Sequence, residues 1–395
     1  MTRATLAGAW PGADPVAAAR DVLNALGHPH QPPLPELPAR GPGSDPVGRT
    51  AALLEGLAVD LQPHGWRLVA EPGMDRRRAV SALRSDVNAL TDVAGEAGIV
   101  LEELVVRVAG PMSLAAGLWL PGGERSLSDS GARRDVVQSL AAGLGEWIRS
   151  LRTALGPARL TVLLDEPDAA AVLSGALPTA SGYRTVRSIP RSEVRQGWTT
   201  VAESVLEAGA AGVVYAPGRT GAGQDWDWGQ LALLAAEALP SGGPAADQEG
   251  KEGKEGKEAQ EDKEQDDAGR GLALPLAPLE GAGADARRWE VIAGWVEAGR
   301  TVTLRLPHPV TATRPGTGAD TGPAVAPPTH RPYRSTAVAI ARTWSRIGLD
   351  PELLSRLVLA APDLSAQTRH AANQTVAAIV TAAEELDRIR QDGGL

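Results

Sequence analysis

The stretch from Arg159 to Pro167 ends in two adjacent carboxylates, which are the side chains of this chain best suited to chemistry. The run Arg159–Leu164 is rich in leucine and β-branched residues, and this predicts a buried parallel strand. Since Pro167 cannot continue a strand ladder, we place Asp165 and Glu166 at the carboxyl end of the strand. Ligands bind at that end of the strands in α/β barrels. One acid is enough to cap a following helix, so the pair leaves a capping role and a pocket role both open.

Short apolar runs alternate with helical patterns along the chain, which is typical of a parallel sheet covered by helices. The candidate strands are Thr5–Trp10, Gly56–Gln62, Leu104–Ala109, Arg159–Leu164, Gly212–Ala216, Gly271–Leu276, Thr301–Leu306 and Leu357–Ala361. The clearest helices are predicted over Val16–Leu26 after Asp14-Pro15, over a long segment after Asp75, over Arg133–Leu155 after Ser130, and over Gln367–Ile389. Eight strand–helix units in one chain favour an α/β fold of the (β/α)8 TIM-barrel type. An open doubly wound sheet is the alternative, but it more typically carries a glycine-rich turn after its first strand.

Two low-complexity insertions interrupt this pattern. Residues 241–269 contain a Lys-Glu-Gly repeat with ten acids and four lysines between Asp247 and Asp267. Such a segment buries too little apolar surface to order itself, so we predict a disordered insertion. Residues 311–328 are predicted to form a second, Pro/Gly-rich loop insertion. Outside these two insertions, residues 1–395 are interpreted as one barrel domain.

Composition excludes several classes of function. The net charge is −9, with no basic stripe, so a nucleic-acid partner is not expected. The amino terminus has no signal-peptide pattern and no apolar run reaches membrane-spanning length, which predicts a cytoplasmic protein without a membrane partner. The chain has no cysteine, and this excludes disulfides, thiolate catalysis and cysteine metal ligands.

Several short motifs, in this order, carry a resemblance to a known family. They are Gly8-Ala9-Trp10-Pro11-Gly12, Leu34–Pro42, Gly65-Trp66-Arg67-Leu68, Val108-Ala109-Gly110-Pro111, Leu164-Asp165-Glu166-Pro167, Leu173–Gly182 and Trp344–Leu359. Together they resemble the C-terminal catalytic barrel of the cobalamin-independent methionine synthase family, and more closely its short single-barrel actinobacterial branch. The resemblance covers nearly the whole chain outside the two insertions.

The resemblance implies methyl transfer from a 5-methyltetrahydrofolate-type donor to homocysteine. In that family, zinc binds homocysteine as its thiolate, since a thiol with a pKa of about 8.5 is a poor nucleophile at neutral pH. The family's His and Cys ligands after the fifth strand correspond here to Tyr215 and to Ala216 or Pro217. The sixth-strand acid falls near Pro275, and no cysteine follows the eighth strand, where the chain continues to Asp363. We therefore predict no metal and no cofactor.

The substrate side of the family pattern is partly kept. Asp165 matches the family acid that holds the amino group of the substrate, and Glu166 is expected to support the mouth of the barrel beside it. Gly8 keeps the loop whose backbone meets the substrate carboxylate, and Trp10 is expected to wall the pocket. Of the six histidines, His308 is the candidate general acid because it follows the seventh predicted strand.

Two functional hypotheses remain open. In one, the protein is a methionine-synthase-type methyltransferase with homocysteine or methionine and a folate as small-molecule partners. In the other, it is a catalytically degenerate barrel that binds a small molecule or a protein partner. The missing metal ligands favour the second hypothesis, the catalytically degenerate barrel, because no other group in the sequence is an evident activator of the thiolate.

Overall fold

The computed structural model describes residues 1–218, 228–239, 270–276, 285–308 and 331–394. Within them, the strands are β1 Arg3–Leu6, β2 Ala58–Gln62, β3 Gly65–Val69, β4 Glu103–Ala109, β5 Leu118–Trp119, β6 Arg159–Glu166, β7 Gly212–Pro217, β8 Arg270–Pro275, β9 Thr301–Arg305 and β10 Leu357–Ala361. The α-helices are α1 Pro15–Ala25, α2 Pro46–Ala51, α3 Met74–Ala97, α4 Pro111–Gly117, α5 Ser130–Leu155, α6 Ala169–Ser174, α7 Arg191–Glu207, α8 Trp228–Ala238, α9 Asp285–Glu297, α10 Arg331–Arg346 and α11 Arg369–Gln391. Short 3-10 turns occupy Pro38–Arg40, Ser126–Ser128 and Pro351–Arg356. Both predicted insertions, 241–269 and 311–328, lie outside the described residues.

A curled parallel sheet of seven strands forms the centre of the molecule, in the order β1-β10-β9-β8-β7-β6-β4. Side chains on its inner face make a small apolar layer of Val105, Leu163, Val214, Ala216 and Ala273. The outer face packs under the helices in a much larger core. The predicted α/β class is confirmed, and the curled parallel sheet is consistent with a TIM-like barrel, because alternate residues of each strand face the inner layer and the helices in turn.

The sheet is not a closed eight-stranded barrel, and the prediction of full closure is wrong. Between β1 and β4 lies the extended segment Gln31–Leu34, which we call the seam. It bonds to β1 through Gln31 N–H and Ala4 O at 2.9 Å. It bonds to β4 through Leu34 N–H to Val105 O at 2.8 Å and Val105 N–H to Pro32 O at 2.9 Å. Prolines at 32 and 33 lack the N–H groups that a complete strand ladder needs.

The predicted second barrel strand, Gly56–Gln62, belongs instead to a separate small sheet. There β2 pairs with β3 in an antiparallel hairpin, and β3 pairs with β5 in parallel. Gly65 adopts φ +129° directly after the two-residue turn between the strands, a conformation that favours glycine. The hairpin supports α2, since the buried Trp66 donates its indole N–H to both oxygens of Asp45 at 3.1 Å.

The start of α1 follows the predicted capping signal, whereas α3 and α5 do not. Helix α3 begins at Met74 after Gly73, which makes no side-chain cap, and α5 is capped by Asp129 and not by the predicted Ser130. Asp14 accepts hydrogen bonds from the N–H groups of Val16 and Ala17, and a proline occupies the first turn of α1. The side chain of Asp129 caps α5, which therefore begins three residues before the predicted Arg133. No helix within the described ranges is both long and apolar enough to cross a membrane.

Candidate functional site

A cavity of about 890 Å³ opens at the carboxyl ends of the barrel strands. Its wall combines side chains from the strand ends with residues of α2 and of the loops after β1 and β10. The wall residues used below are Glu36, Arg49, Arg107, Asp165, Arg305, His308 and Asp363. The cavity therefore lies at the end of the sheet where the sequence places a site.

Arg107 is the most heavily bonded side chain of the cavity. Two residues after the inward-facing Val105 on β4, it faces the same interior. Its Nε and Nη2 donate to the two oxygens of Glu36 at 2.9 and 2.5 Å, and its Nη1 donates to Ala7 O at 3.1 Å. Burial opposes ionisation of Glu36, but the charge and hydrogen bonds of Arg107 outweigh it and hold the pKa of Glu36 below its usual value. Glu36, in turn, is the main cause that raises the pKa of Arg107 against the effect of burial.

Asp165 lies between two guanidinium groups. Its Oδ2 is 3.4 Å from Arg107 Nη1, and its Oδ1 is 3.4 Å from Arg305 Nη1. The Asp165 side chain is 17% exposed, on the cavity wall. Both ion-pair distances are at the long limit for a hydrogen bond, so lone pairs of this carboxylate remain available to a ligand.

Arg305, at the end of β9, completes the floor of the cavity. Its Nη2 donates to Gly218 O at 2.6 Å, in addition to the contact with Asp165. Burial lowers the pKa of Arg305, and the neighbouring Asp165 counteracts this. Glu36, Arg107, Asp165 and Arg305 form one alternating chain of negative and positive charge, which we call the floor network.

A second ionic cluster supports the wall formed by α2. The buried Asp86 on α3 pairs with both Arg40 and Arg49, and Arg49 also lines the cavity. Burial raises the pKa of Asp86, while Arg49 and Arg40 act in the opposite direction. Both acceptor oxygens of Asp86 are thus occupied by guanidinium groups.

Glu166 does not reach the cavity. Its neighbour Asp165 faces the barrel interior, so strand alternation turns Glu166 outward, where it is fully buried beneath the helices. Its Oε1 accepts from Met112 N–H at 2.9 Å and from Trp198 Nε1 at 2.8 Å, and its Oε2 accepts from Ser113 N–H at 2.7 Å. Desolvation raises the pKa of Glu166 to about 7, although these donors favour the ionised form. The structure thus gives Glu166 an anchoring position at the start of α4.

The first-strand loop holds the other two predicted substrate residues. A Cβ on Gly8 would collide with the backbone of Asp363, so glycine permits the close approach of the β1 and β10 loops. Trp10 is 1% exposed, and its backbone N–H donates to Glu36 O at 2.8 Å. Neither Gly8 nor Trp10 is part of the cavity wall. Trp10 lies behind the floor network through its contact with Glu36.

His308 lies on the cavity wall with an exposed side chain. His330 falls outside the described residues. The other histidines lie elsewhere: His28 pairs with Glu102, His30 accepts from Ala4 N–H, His64 packs edge-on against Trp119, and His370 bonds to Gln374.

The described mouth residues do not fit the zinc site that the resemblance implies. Tyr215 turns its ring outward, where it stacks on Trp198 and its hydroxyl donates toward Trp198 O and Ala238 O. Asp363 accepts from Ala9 N–H and from both the N–H and the hydroxyl of Ser365. The carboxylate of Asp165 already pairs with Arg107 and Arg305, and the carboxylate of Glu36 pairs with Arg107. Within residues 1–218, 228–239, 270–276, 285–308 and 331–394, no group of three or more His, Asp or Glu side chains is arranged to hold a metal ion.

Sequence reasoning missed most of the floor network. Glu36 lies within the motif Leu34–Pro42, and Arg107 and Arg305 lie within predicted apolar strands, so local sequence gives none of the three a role in the site. The signal was present, because an arginine within a buried parallel strand must face a partner or a cavity. Arg107 follows the inward-facing Val105 by two positions. Arg305 shares the inner face with Ala273, because Ala273 pairs in register with Thr303, two residues before Arg305.

The fold is similar to that of solved structures. Over 98% of both chains, it is similar to a B12-independent methionine synthase from a Shewanella species solved in complex with selenomethionine, with 11% identity and a TM-score of 0.50. A putative vitamin-B12-independent methionine synthase from Listeria monocytogenes matches over 98% of this chain and 99% of its own, with 12% identity and a TM-score of 0.45. No family model matches the chain, and no curated protein matches it in sequence. The chain therefore has a methionine-synthase-like fold.

Proposed function

We propose that this protein binds a small α-amino acid of the homocysteine or methionine type at the carboxyl end of its barrel. Asp165 receives the ammonium group, and the protein does not carry out zinc-dependent methyl transfer. It is thus a degenerate relative of methionine synthase, with a folate as its second ligand.

The position of Asp165 carries this proposal. The carboxylate lies on the wall of a cavity large enough for an amino acid, and it keeps free lone pairs beside its two arginines. A charge-assisted hydrogen bond to an ammonium ion is among the stronger contacts available to a small polar ligand. The selenomethionine in the Shewanella structure supports the same ligand class for this fold.

The charges around the cavity support a binding role over the family's reaction. The chain has no cysteine, and the floor carboxylates Glu36 and Asp165 are paired with arginines. Without a metal ligand set among the described residues, the thiolate form of homocysteine lacks the activator that the family uses.

Calorimetric titration of the purified protein with L-methionine and L-homocysteine tests the proposal. We expect saturable binding of both, and binding about 10- to 100-fold weaker in Asp165→Asn, since a hydrogen bond to a charged group contributes roughly 1.5–3 kcal/mol. Asp60→Asn is the matched control, because Asp60 is also a half-buried aspartate paired with an arginine, Arg67, but lies in the hairpin. Thermal unfolding of each variant verifies that the fold is kept.

A parallel assay follows methyl transfer from 5-methyltetrahydrofolate to homocysteine, with and without added zinc. We expect no methionine above the protein-free background. Stoichiometric zinc in the purified protein together with turnover would overturn the degenerate assignment. Unchanged methionine affinity in Asp165→Asn would overturn the role of Asp165.

A further inference from the structure

We propose that Arg305 is the carboxylate anchor of the cavity. Its guanidinium receives a ligand carboxylate, either the α-carboxylate of the amino acid or a glutamate carboxylate of a folate tail. The inference rests on the proposed function for the identity of the ligand, but its geometry stands on Arg305 itself.

The first argument is the number of donors that Arg305 leaves open. A guanidinium carries five N–H donors. Arg107 uses four contacts, to Glu36 twice, to Ala7 O and to Asp165. Arg305 uses two, to Asp165 and to Gly218 O, within the described part of the chain. The side chain of Arg305 is 18% exposed and lines the cavity, so a ligand in the cavity can reach this guanidinium.

The second argument is the charge of the floor network. Glu36 and Asp165 carry two negative charges, and Arg107 and Arg305 carry two positive charges, so the network is neutral as it stands. An amine bound at Asp165 would be a third cation around this carboxylate, beside Arg107 and Arg305. A ligand that also brings a carboxylate keeps the network neutral, and a partly buried site favours this balance.

The third argument is distance. Asp165 Oδ1 and Arg305 Nη1 are 3.4 Å apart. The ammonium nitrogen and a carboxylate oxygen of an α-amino acid are roughly 3 Å apart, because only two carbon atoms separate them. An amino acid can therefore place its ammonium on Asp165 and its carboxylate on Arg305, which closes a ring of four alternating charges. The rim acid Asp363 forms no hydrogen bond with Arg305 and leaves this arrangement open.

The test compares four ligands by calorimetric titration. They are L-methionine, methioninamide, which lacks the carboxylate, 4-(methylthio)butanoate, which lacks the amine, and N-(4-aminobenzoyl)-L-glutamate, which is a folate tail without the pterin. For the wild-type protein, we expect methionine to bind about 10- to 100-fold tighter than its amide. In Arg305→Met, this ratio should fall to about 2 or less, and Arg305→Lys should keep part of it because a single ammonium replaces the fork.

Arg356→Met is the matched control. Arg356 also donates to one backbone carbonyl, Gly299 O, but lies at the opposite end of the barrel. It should leave the ratio unchanged. Far-UV circular dichroism and thermal unfolding accompany every titration, and Arg305→Lys serves as the test variant if Arg305→Met does not fold.

The outcomes separate this inference from the proposed function. Two results overturn the carboxylate anchor and leave amino-acid binding intact. In one, the wild type binds methionine and methioninamide with nearly equal affinity. In the other, the ratio of these two affinities is the same in Arg305→Met as in the wild type. Binding of 4-(methylthio)butanoate that depends on Arg305, without binding of methionine, supports the anchor and overturns the role of Asp165. Arg305-dependent binding of the folate tail alone assigns the carboxylate to a folate. If none of the four ligands binds, both proposals are overturned.

Discussion

Replacement of Glu166 by glutamine should remove a specific part of the pH dependence of stability. Burial raises the pKa of Glu166 to about 7, whereas an unfolded chain leaves a glutamate near its ordinary value of about 4.3–4.5. Between these two values the folded protein holds one proton more than the unfolded chain. The free energy of unfolding therefore falls as the pH rises, by about 1.4 kcal/mol per pH unit. Over this interval the loss from Glu166 amounts to about 3 kcal/mol, and it is complete above pH 7.

Urea denaturation followed by tryptophan fluorescence at several pH values between 4.5 and 8 measures this effect. Other groups also titrate, including His30, whose pKa is lowered mainly by burial. The decisive quantity is thus the difference in the free energy of unfolding between the wild type and Glu166→Gln at each pH. We expect this difference to change by about 3 kcal/mol from pH 4.5 to 7, in the direction of a relatively less stable wild type at the higher pH. Glu146→Gln, an exposed glutamate of α5, is the control and should leave the difference flat.

The reasoning would be refuted if the difference in the free energy of unfolding between the wild type and Glu166→Gln did not change with pH. This result would mean that the N–H groups of Met112, Ser113 and Trp198 keep the carboxylate ionised in spite of its burial. A pH-independent difference in the free energy of unfolding is expected in any case. The amide of glutamine places its own N–H group against the N–H donors of Met112, Ser113 and Trp198.

Two further changes test the packing of the site. Glu36→Ala leaves the buried Arg107 without its bidentate partner, so urea denaturation should show a loss of about 3–5 kcal/mol in the free energy of unfolding. The double variant Glu36→Ala with Arg107→Met should recover much of this loss. Additive effects of the two substitutions would contradict the pairing. Gly8→Ala should destabilise by about 1–3 kcal/mol because its Cβ meets the backbone of Asp363, whereas Gly122→Ala, with open space around it, should change the denaturation midpoint little; equal effects would contradict the close approach.

Six of the seven strands of the main sheet were predictable because buried parallel strands form short apolar runs that local sequence reveals. The exception is β1, which ends at Leu6, four residues before the predicted Trp10. β10 occupies the predicted Leu357–Ala361, and β4, β6, β7, β8 and β9 differ from their predicted bounds by a residue or two. The seam was not predictable in this way. Pro32 and Pro33 argue against a strand by local rules, and only the open space between β1 and β4 gives Gln31–Leu34 its place.

The site was predictable at one residue and not at its neighbours. Asp165 was found because a carboxylate ends an apolar run. Arg107 and Arg305 lie inside such runs, and the pairing of each depends on strands or loops distant in sequence. Adjacency in sequence places Glu166 at the mouth beside Asp165, whereas strand alternation directs the side chains of neighbouring residues to opposite faces of the sheet.

The seam between β1 and β4 has a consequence for how this barrel holds together. At its amino-terminal end, Arg3 of β1 and Gln31 both donate to Glu103 of β4. At the other end, Arg107 of β4 reaches Glu36 and Ala7 O. The seam thus has an ionic clasp at each end, in place of the full ladder that its prolines prevent.

Arg107, which forms the clasp at the carboxyl end of the seam, also contacts Asp165. The side chain that links β4 to its neighbours across the seam therefore also belongs to the floor of the cavity. We expect an occupied cavity to slow hydrogen exchange at Gln31 N–H and Leu34 N–H more than at amides of β8, and high salt to have the opposite effect. Ligand affinity and the stability of the seam would then depend on the same charged side chains, those of Glu36, Arg107 and Asp165.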